Sequence, residues 1–245
     1  MLSVVIPCYN EQDRLPATVD AIKAYLAARG EAYELILADD GSVDGTQQVI
    51  AASMNGATNV RTVRLPQNRG KGRALAEGVK LSSGDRVLLT DADLSTPIDE
   101  LPKLEARLDA GDGVAIASRA LKGSEIVISQ PIYRVLMGKT FNLMVQTLLL
   151  PGLWDTQCGF KLFRGDLARS VFADLRTDGF GYDPEALFLA KKKGARIAEV
   201  PVKWRHSAPT KVAAVRHSLD MFKDLVKTRF RSYAPNRAAG SPRNP

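Results

Sequence analysis

Leu2-Ser3-Val4-Val5-Ile6-Pro7-Cys8-Tyr9-Asn10-Glu11 opens as an apolar run and turns polar within a few residues. A helical period follows in Leu15, Val19, Ile22 and Leu26, and Gly30 stands where a left-handed helix cap is expected. The same alternation then repeats. Tyr33–Ala38, Val60–Leu65, Arg86–Thr90 and Val114–Ser118 read as strands, with helices ending near Met54 and covering Gly72–Leu81 and Ile98–Ala110 between them. Strands separated by helices of this length join through right-handed crossovers into a mostly parallel sheet, so the fold class is α/β, a Rossmann-like sheet flanked by helices. In such sheets ligands bind beyond the carboxyl ends of the strands. The polar clusters fall at those ends: Cys8–Glu11, Asp39–Ser42, Asp91–Ser95 and Arg119.

The second half is less regular. Ile132–Leu150 reads as a long apolar-rich helix, Phe160–Phe163 as a short strand, Asp166–Phe172 and Pro184–Lys193 as helices, and Arg196–Val202 as a strand. From Lys211 to Phe230 a helix carries Val212, Val215, Leu219, Phe222 and Val226 on one stripe, with Arg216, Asp220, Lys223 and Lys227 opposite. The expected organisation is one domain over residues 1–232, with a nucleotide-binding half at 1–120, an acceptor half at 121–210 and a basic amphipathic helix at 211–232. A flexible tail is expected over 233–245.

At 245 residues, 45% apolar and 25% charged, the chain suffices for one sizeable core. Its two cysteines, Cys8 and Cys158, have no metal-type spacing, which fits a reduced, cytoplasmic setting. No signal peptide is expected at Met1. The longest uncharged stretch, Thr140–Trp154, is shorter than the roughly 20 apolar residues a bilayer span needs. The net charge of +7 is uneven: from Lys203 onward there are ten basic and two acidic side chains, against 24 and 25 before it. That excess points to an anionic partner for the C-terminal segment. A membrane surface fits better than nucleic acid, because no recognised nucleic-acid module is evident and aromatics are sparse at 7%.

Asp91-Ala92-Asp93 follows the fourth strand. Spacing of two in extended backbone puts both carboxylates on one face, where they repel unless a cation lies between them. Mg²⁺ or Mn²⁺ needs only one or two protein carboxylates when substrate phosphates complete its shell. Solvated turn carboxylates are the plain alternative. Asp39-Asp40-Gly41-Ser42 can accept hydrogen bonds from a nucleoside, or can be an ordinary turn. Asn68-Arg69-Gly70-Lys71-Gly72 precedes a helix whose amino end can receive phosphate; it is not a dinucleotide fingerprint, since Leu75 replaces the third glycine. His206 and His217 lack partners at metal spacing, and Trp154 and Trp204 read as core or interfacial anchors.

Taken in order, Val4–Glu11, Ala38–Thr46, Asn68–Gly72 and Asp91–Ser95 resemble the large inverting glycosyltransferase family with the GT-A fold. Within it the chain looks like the polyprenyl-phosphate branch, the dolichyl-phosphate glucosyl- and mannosyltransferases. Asp155–Phe163 and Gly179–Glu185 extend the likeness. The resemblance implies that Pro7, Tyr9 and Glu11 line the nucleoside pocket with Ala38 and Asp40 beside them, and that Lys71 serves the donor. It implies that Asp91 and Asp93 carry Mg²⁺ or Mn²⁺ and the diphosphate, with Ala92 and Ser95 adjoining. Arg119, Lys139, Arg205 and Lys211 match basic positions for donor diphosphate and acceptor phosphate. Lys139 stands where arginine is usual, and Ser207-Ala208-Pro209-Thr210 replaces a glycine-rich turn.

Ser95-Thr96-Pro97 and Thr156-Gln157-Cys158-Gly159-Phe160 are similar to the β-glucosyl enzymes, so UDP-glucose is the expected donor, ahead of GDP-mannose. A polyprenyl phosphate is the expected acceptor; a non-lipid acceptor is the alternative, with Asp155 or Asp183 then as candidate base and otherwise as capping or loop residues. A nucleotidylyltransferase would carry a glycine-rich amino-terminal signature absent from this sequence. Relatives often add transmembrane helices. The implied attachment is therefore peripheral, on the cytoplasmic face, or through an integral-membrane partner.

Overall fold

The computed structural model describes residues 1–128, 132–205 and 214–233. Strands β1 (Leu2–Cys8), β2 (Tyr33–Asp39), β3 (Val60–Arg64), β4 (Arg86–Leu89) and β5 (Val114–Ser118) alternate with helices α1 (Leu15–Arg29), α2 (Thr46–Met54), α3 (Lys71–Leu81) and α4 (Leu101–Asp109). A 3₁₀ turn at Ile98–Glu100 leads into α4. The second half runs β6 (Glu125–Ile128), α5 (Ile132–Leu148), β7 (Lys161–Arg164), α6 (Gly165–Asp174), α7 (Tyr182–Lys192), β8 (Ile197–Pro201), β9 (Lys203–Arg205) and α8 (Ala214–Phe230).

Among the described residues a seven-stranded sheet has the order β3-β2-β1-β4-β7-β5-β8. It is parallel except for β7, which runs antiparallel to both β4 and β5. The chain leaves β1 for β2 on one side and returns to β4 on the other. A crevice therefore opens beyond the carboxyl ends of β1 and β4.

β1 is apolar almost throughout because both its faces are covered, as expected of a central parallel strand. Leu2, Val4 and Ile6 join Leu15, Val19, Ile22 and Leu26 of α1 and Leu101 and Leu104 of α4 on one side. Val5 turns to Leu75 and Val79 of α3, Tyr182 and Leu187 of α7 and Phe163 of β7 on the other. Period-two alternation thus feeds two core layers from one strand. Gly30 caps α1 at φ 64°, as its position after the last periodic leucine requires.

The expected helices and sheet strands form, with ends shifted by one to three residues. The small parallel pair β6–β9 has no counterpart in the sequence reading. All four residues of β6 are exposed, so no buried alternation marks it.

The C-terminal helix departs from expectation more usefully. Val212 lies outside the described residues. Phe222, expected on the apolar stripe, is exposed, whereas Leu225 and Thr228 are buried. α8 lies against α5 and α7; the side chains of Val215 and Leu219 lie outside the described residues, and over 220–230 the buried positions are Leu225 and Thr228. The residues after α8 are anchored: Arg231 Nη1 and the Tyr233 hydroxyl bond Glu185 Oε1 at 3.1 and 2.6 Å. Of the tail expected over 233–245 only Tyr233 is described; 234–245 lie outside the described residues. No described helix is long and apolar enough to cross a membrane.

Candidate active site

A cleft of about 510 Å³ opens at the carboxyl ends of β1, β2 and β4. Of the residues singled out in the sequence, Pro7, Tyr9, Glu11, Asp40, Lys71, Asp91, Ala92 and Asp93 line it. Ala38 lies beneath, fully buried, near Gly78 of α3.

The cleft wall also contains residues beyond those expected from the sequence. Arg14 pairs bidentately with Glu11 at 2.7 Å for both bonds, three residues apart at the start of α1. That spacing was a readable signal. Asn68, Arg69, Gly70, Gly179 and Phe180 belong to stretches noted only as motifs. Asp220, Met221 and Asp224 of α8 had no local signal at all, since the helix reaches the cleft only through tertiary packing.

The two adjacent acids after β2 have separate duties. Asp39 organises its own turn, accepting Ser42 N–H at 3.0 Å and Gln47 Nε2 at 2.5 Å. Asp40 reaches across the cleft floor, and its two oxygens accept the N–H groups of Arg69 and Gly70, each at 2.8 Å. Burial raises the Asp40 carboxyl in spite of these bonds. The loop it holds is tight: Gly70 has φ 116°, and Cβ atoms at Gly70 or Gly72 would strike the backbone of Thr177–Asp178. Asp40 therefore fixes the approach to α3.

Asp91 and Asp93 share the cleft, but not through extended backbone as the spacing argument supposed. β4 ends at Leu89 and the acids lie on a turn closed by Leu94 N–H to Asp91 O at 3.2 Å, with Leu94 at φ 44°. Thr18 Oγ1 bonds Ala92 O at 2.7 Å, tying the turn to α1. Lys71 Nζ lies 2.5 Å from Asp91 Oδ1. Burial works to raise the Asp91 carboxyl, but the charge and hydrogen bond of Lys71, with the charges of Lys161 and Arg119, together outweigh it and hold the group below the usual carboxylate range. Asp93 Oδ1 accepts Ser95 N–H at 3.0 Å, and its other oxygen is 3.8 Å from Arg14. Ser95 thus meets Asp93 through its backbone.

Among the described residues no group of three or more His, Cys, Asp or Glu could hold a metal ion. Two hard carboxylates on one turn suit a smaller demand. They fit Mg²⁺ or Mn²⁺ when phosphate and water supply the remaining ligands, and they offer nothing to a softer ion.

The basic residues expected around the phosphates are spread out. Arg119 is clamped by Asp155, with Nε and Nη2 at 2.7 and 2.8 Å from the two carboxylate oxygens and its own N–H at 2.8 Å. It also lies 5.3 Å from the centre of the Trp204 ring. Burial works to lower the guanidinium, but Asp155 outweighs it and raises it. Arg205 is exposed at the end of the chain's second, smaller sheet, its N–H 2.8 Å from Ser95 O. Lys139 is exposed on α5, and Lys211 and His206 lie outside the described residues. Asp183 pairs with the buried Lys161, which also reaches Cys158 O at 2.5 Å. Asp155 and Asp183 are thus bound into ion pairs, and Asp155 also makes loop bonds, accepting the Arg119 and Gln157 N–H groups at 2.8 and 3.3 Å. Trp204 is buried as expected of an anchor, whereas Trp154 is 58% exposed.

A sequence model of glycosyl transferase family 2 matches residues 3–172. The dolichyl-phosphate beta-glucosyltransferase of Dictyostelium discoideum is 37% identical over 242 residues, covering 94% of this chain and 74% of that protein. Its human counterpart is 36% identical over 243 residues, covering 94% and 75%. Among solved structures, glucosyl-3-phosphoglycerate synthase of Mycobacterium tuberculosis in complex with Mn²⁺, UDP and glucosyl-3-phosphoglycerate superposes with a TM-score of 0.70. That match is 22% identical and covers 93% of this chain and 79% of the other, a likeness of fold.

Proposed function

The chain belongs to glycosyl transferase family 2, and from that premise we propose that it transfers glucose from UDP-glucose, with inversion, onto the phosphate of a dolichyl or other polyprenyl phosphate. The observation that carries the reading is the cleft at the β1–β4 crevice, where Asp91 and Asp93 share one turn opposite Lys71 and Arg14. The names of its relatives supply the sugar and the acceptor.

In this reading Pro7, Tyr9, Glu11, Ala38 and Asp40 shape the nucleoside pocket, and Asp91 and Asp93 hold Mg²⁺ or Mn²⁺ with Ala92 and Ser95 framing their turn. The bound ion supplies Lewis-acid stabilisation of the departing diphosphate. Lys71 adds positive charge where that negative charge develops. Arg119, Lys139, Arg205 and Lys211 draw in and orient the acceptor phosphate. One of its oxygens bonds to the anomeric carbon as the bond to the nucleoside diphosphate breaks. A phosphate monoester is already anionic at neutral pH, with a second pKa of about 6, so no general base is required. This agrees with Asp155 and Asp183 each being neutralised by a basic partner.

The acceptor is lipid, and the chain offers an apolar shoulder to meet it. Ile126, Val127 and Ile128 of β6 are exposed together with Tyr133, Val135, Leu136 and Leu143 of α5. With Lys139 on α5 and Arg205 on β9, the strand that pairs with β6, these exposed residues suit the interface of an anionic membrane, on the face where nucleotide sugars are made.

The test is transfer of radiolabelled glucose from UDP-glucose to dolichyl phosphate in detergent with Mn²⁺, scored by extraction into organic solvent. Label in the lipid phase, absent when GDP-mannose replaces the donor, supports the reading. Label retained only in aqueous products refutes the lipid acceptor.

A further inference from the structure

Lys71 is the first residue of α3, at the helix end whose dipole disfavours a cation, and no acidic residue in the first turn offsets it. Its placement does not serve the helix. The ammonium instead lies 2.5 Å from Asp91 and 5.8 Å from the centre of the buried Tyr182 ring, with 19% of the side chain exposed. Asp93 is engaged differently, by the Ser95 N–H and at longer range by Arg14, whose short bonds go to Glu11. One acid of the pair therefore holds an ammonium at 2.5 Å, whereas the other meets its cation, Arg14, only at 3.8 Å.

Building on the family 2 reading, we propose that Lys71 is the resident counter-ion of Asp91 and is exchanged when substrate arrives. Asp91 passes from Lys71 to the incoming divalent cation, and Lys71 passes from Asp91 to the donor diphosphate. The charges require the two exchanges to go together. A divalent cation alone must compete with an ammonium already at the carboxylate, and the displaced ammonium, with only 19% of its side chain exposed, would be left with Asp183 and Asp93, which already face Lys161 and Arg14. The diphosphate removes that penalty by giving Lys71 a second partner. Cation and nucleotide consequently strengthen one another's binding, by the same factor in each direction. The exchange also guards the site, since a cation without donor gains little from the acids.

Equilibrium binding tests this without any turnover. Free Mn²⁺ is followed by electron paramagnetic resonance, and UDP binding by calorimetry at saturating Mn²⁺. In the unaltered protein UDP should strengthen Mn²⁺ binding by at least about tenfold; equal Mn²⁺ affinity with and without UDP overturns the proposal. Lys71→Met should move the two affinities in opposite directions. Mn²⁺ alone binds about fivefold tighter, because its competitor is gone, and UDP binds about fivefold weaker. Lys71→Gln should behave like Lys71→Met, and Lys71→Arg should keep the order of the unaltered protein. If Lys71 merely props the turn, both affinities fall together in Lys71→Met and Lys71→Gln, and the exchange is refuted. If the unaltered protein binds neither Mn²⁺ nor UDP, the family reading of the site fails instead.

Discussion

Gly159 lies against the Asp91 carboxylate so closely that a Cβ at position 159 would overlap its oxygens. The Thr156–Phe160 segment leads into β7, the strand that runs against the sheet, and its backbone forms the floor on which Asp91 rests. Any side chain there must push Asp91 toward Lys71 or out of the cleft. Gly159→Ala is expected to lower transfer by about 100-fold, the scale of a displacement near 1 Å at a reacting centre. UDP–Mn²⁺ affinity should fall as well, while the thermal transition moves by only a few degrees. Alanine at 159 with transfer within threefold of the unaltered protein would show that Asp91 does not need its observed position.

Asp93→Ala addresses the other acid. Its carboxylate bonds Ser95 N–H on its own turn, so its removal leaves the fold nearly untouched. Transfer should become undetectable and the Mn²⁺-dependent part of UDP binding should vanish, with unfolding in urea unchanged within about 0.5 kcal/mol. Retained transfer would remove Asp93 from the proposed metal site.

How far the sequence leads can be judged from these two acids. Period-two and helical repeats, with glycines at their ends, were enough to place β1 to β5 and therefore the rim, because a strand's ends determine where its polar flank must lie. The polar clusters Cys8–Glu11 and Asp91–Ser95 follow from that; the roles of Pro7, Tyr9 and Glu11 came from the resemblance to inverting glycosyltransferases. The turn geometry that joins Asp91 to Asp93 was not legible, since spacing of two reads equally as strand or turn. Gly159 was visible only as a motif letter, because its meaning is a distance to a residue 68 positions earlier. Asp220, Met221 and Asp224 were hidden for the same reason: α8 reaches the cleft wall only by packing against α5 and α7.

Arg119 and Asp155 give a stability prediction. Their paired bonds bury the carboxylate against the backbone N–H of Arg119, and Asp155 N–H in turn bonds Glu199 at 2.8 Å. Removing one partner strands the other in a poorly solvated site. Asp155→Ala is expected to cost about 3 kcal/mol in urea unfolding, at the low end for a broken buried pair because Arg119 keeps partial access to solvent. A loss below about 1 kcal/mol would mean that the pair is a surface contact in energetic terms.

Glu34 sets part of the acid limit of the fold. Burial works to raise its carboxyl, but bonds from Ser3 Oγ at 2.6 Å, Ser83 N–H at 2.6 Å, Ser83 Oγ at 2.9 Å and Arg61 at 3.1 Å outweigh it and lower it. A carboxyl lowered by folding contributes stability in full above its unfolded value, about 4.3, and loses it as pH falls through the lower folded value. Glu34→Gln should therefore be less stable than the unaltered protein at pH 7, with the gap closing progressively below pH 4. Urea titrations at a series of pH values decide this; a gap that stays constant down to pH 3 contradicts it.

Glu185 anchors the residues that follow α8. Glu185 is fully buried, and besides Arg231 and Tyr233 it accepts the N–H groups of Arg176 and Thr177 at 3.1 and 2.8 Å. Burial and the Glu185 bond both raise the Tyr233 hydroxyl, which keeps it a donor across the working pH range. The same segment, at Thr177–Asp178, meets Gly70 and Gly72, so one carboxylate ties the end of α8 to the loop that carries Lys71. Ending the chain after Phe230 removes two of the four donors and leaves Glu185 buried with backbone partners only. The wall formed by Asp220, Met221 and Asp224 should then loosen, and UDP should bind several-fold more weakly although no residue lining the cleft has changed. Tyr233→Phe alone, which deletes one neutral donor to a charged acceptor, should cost about 1.5 kcal/mol of stability and a smaller part of that affinity. Calorimetry of UDP binding to the two variants separates the outcomes. Unchanged affinity in the shortened chain would show that α8 holds its place through Leu225 and Thr228 without the contacts beyond it.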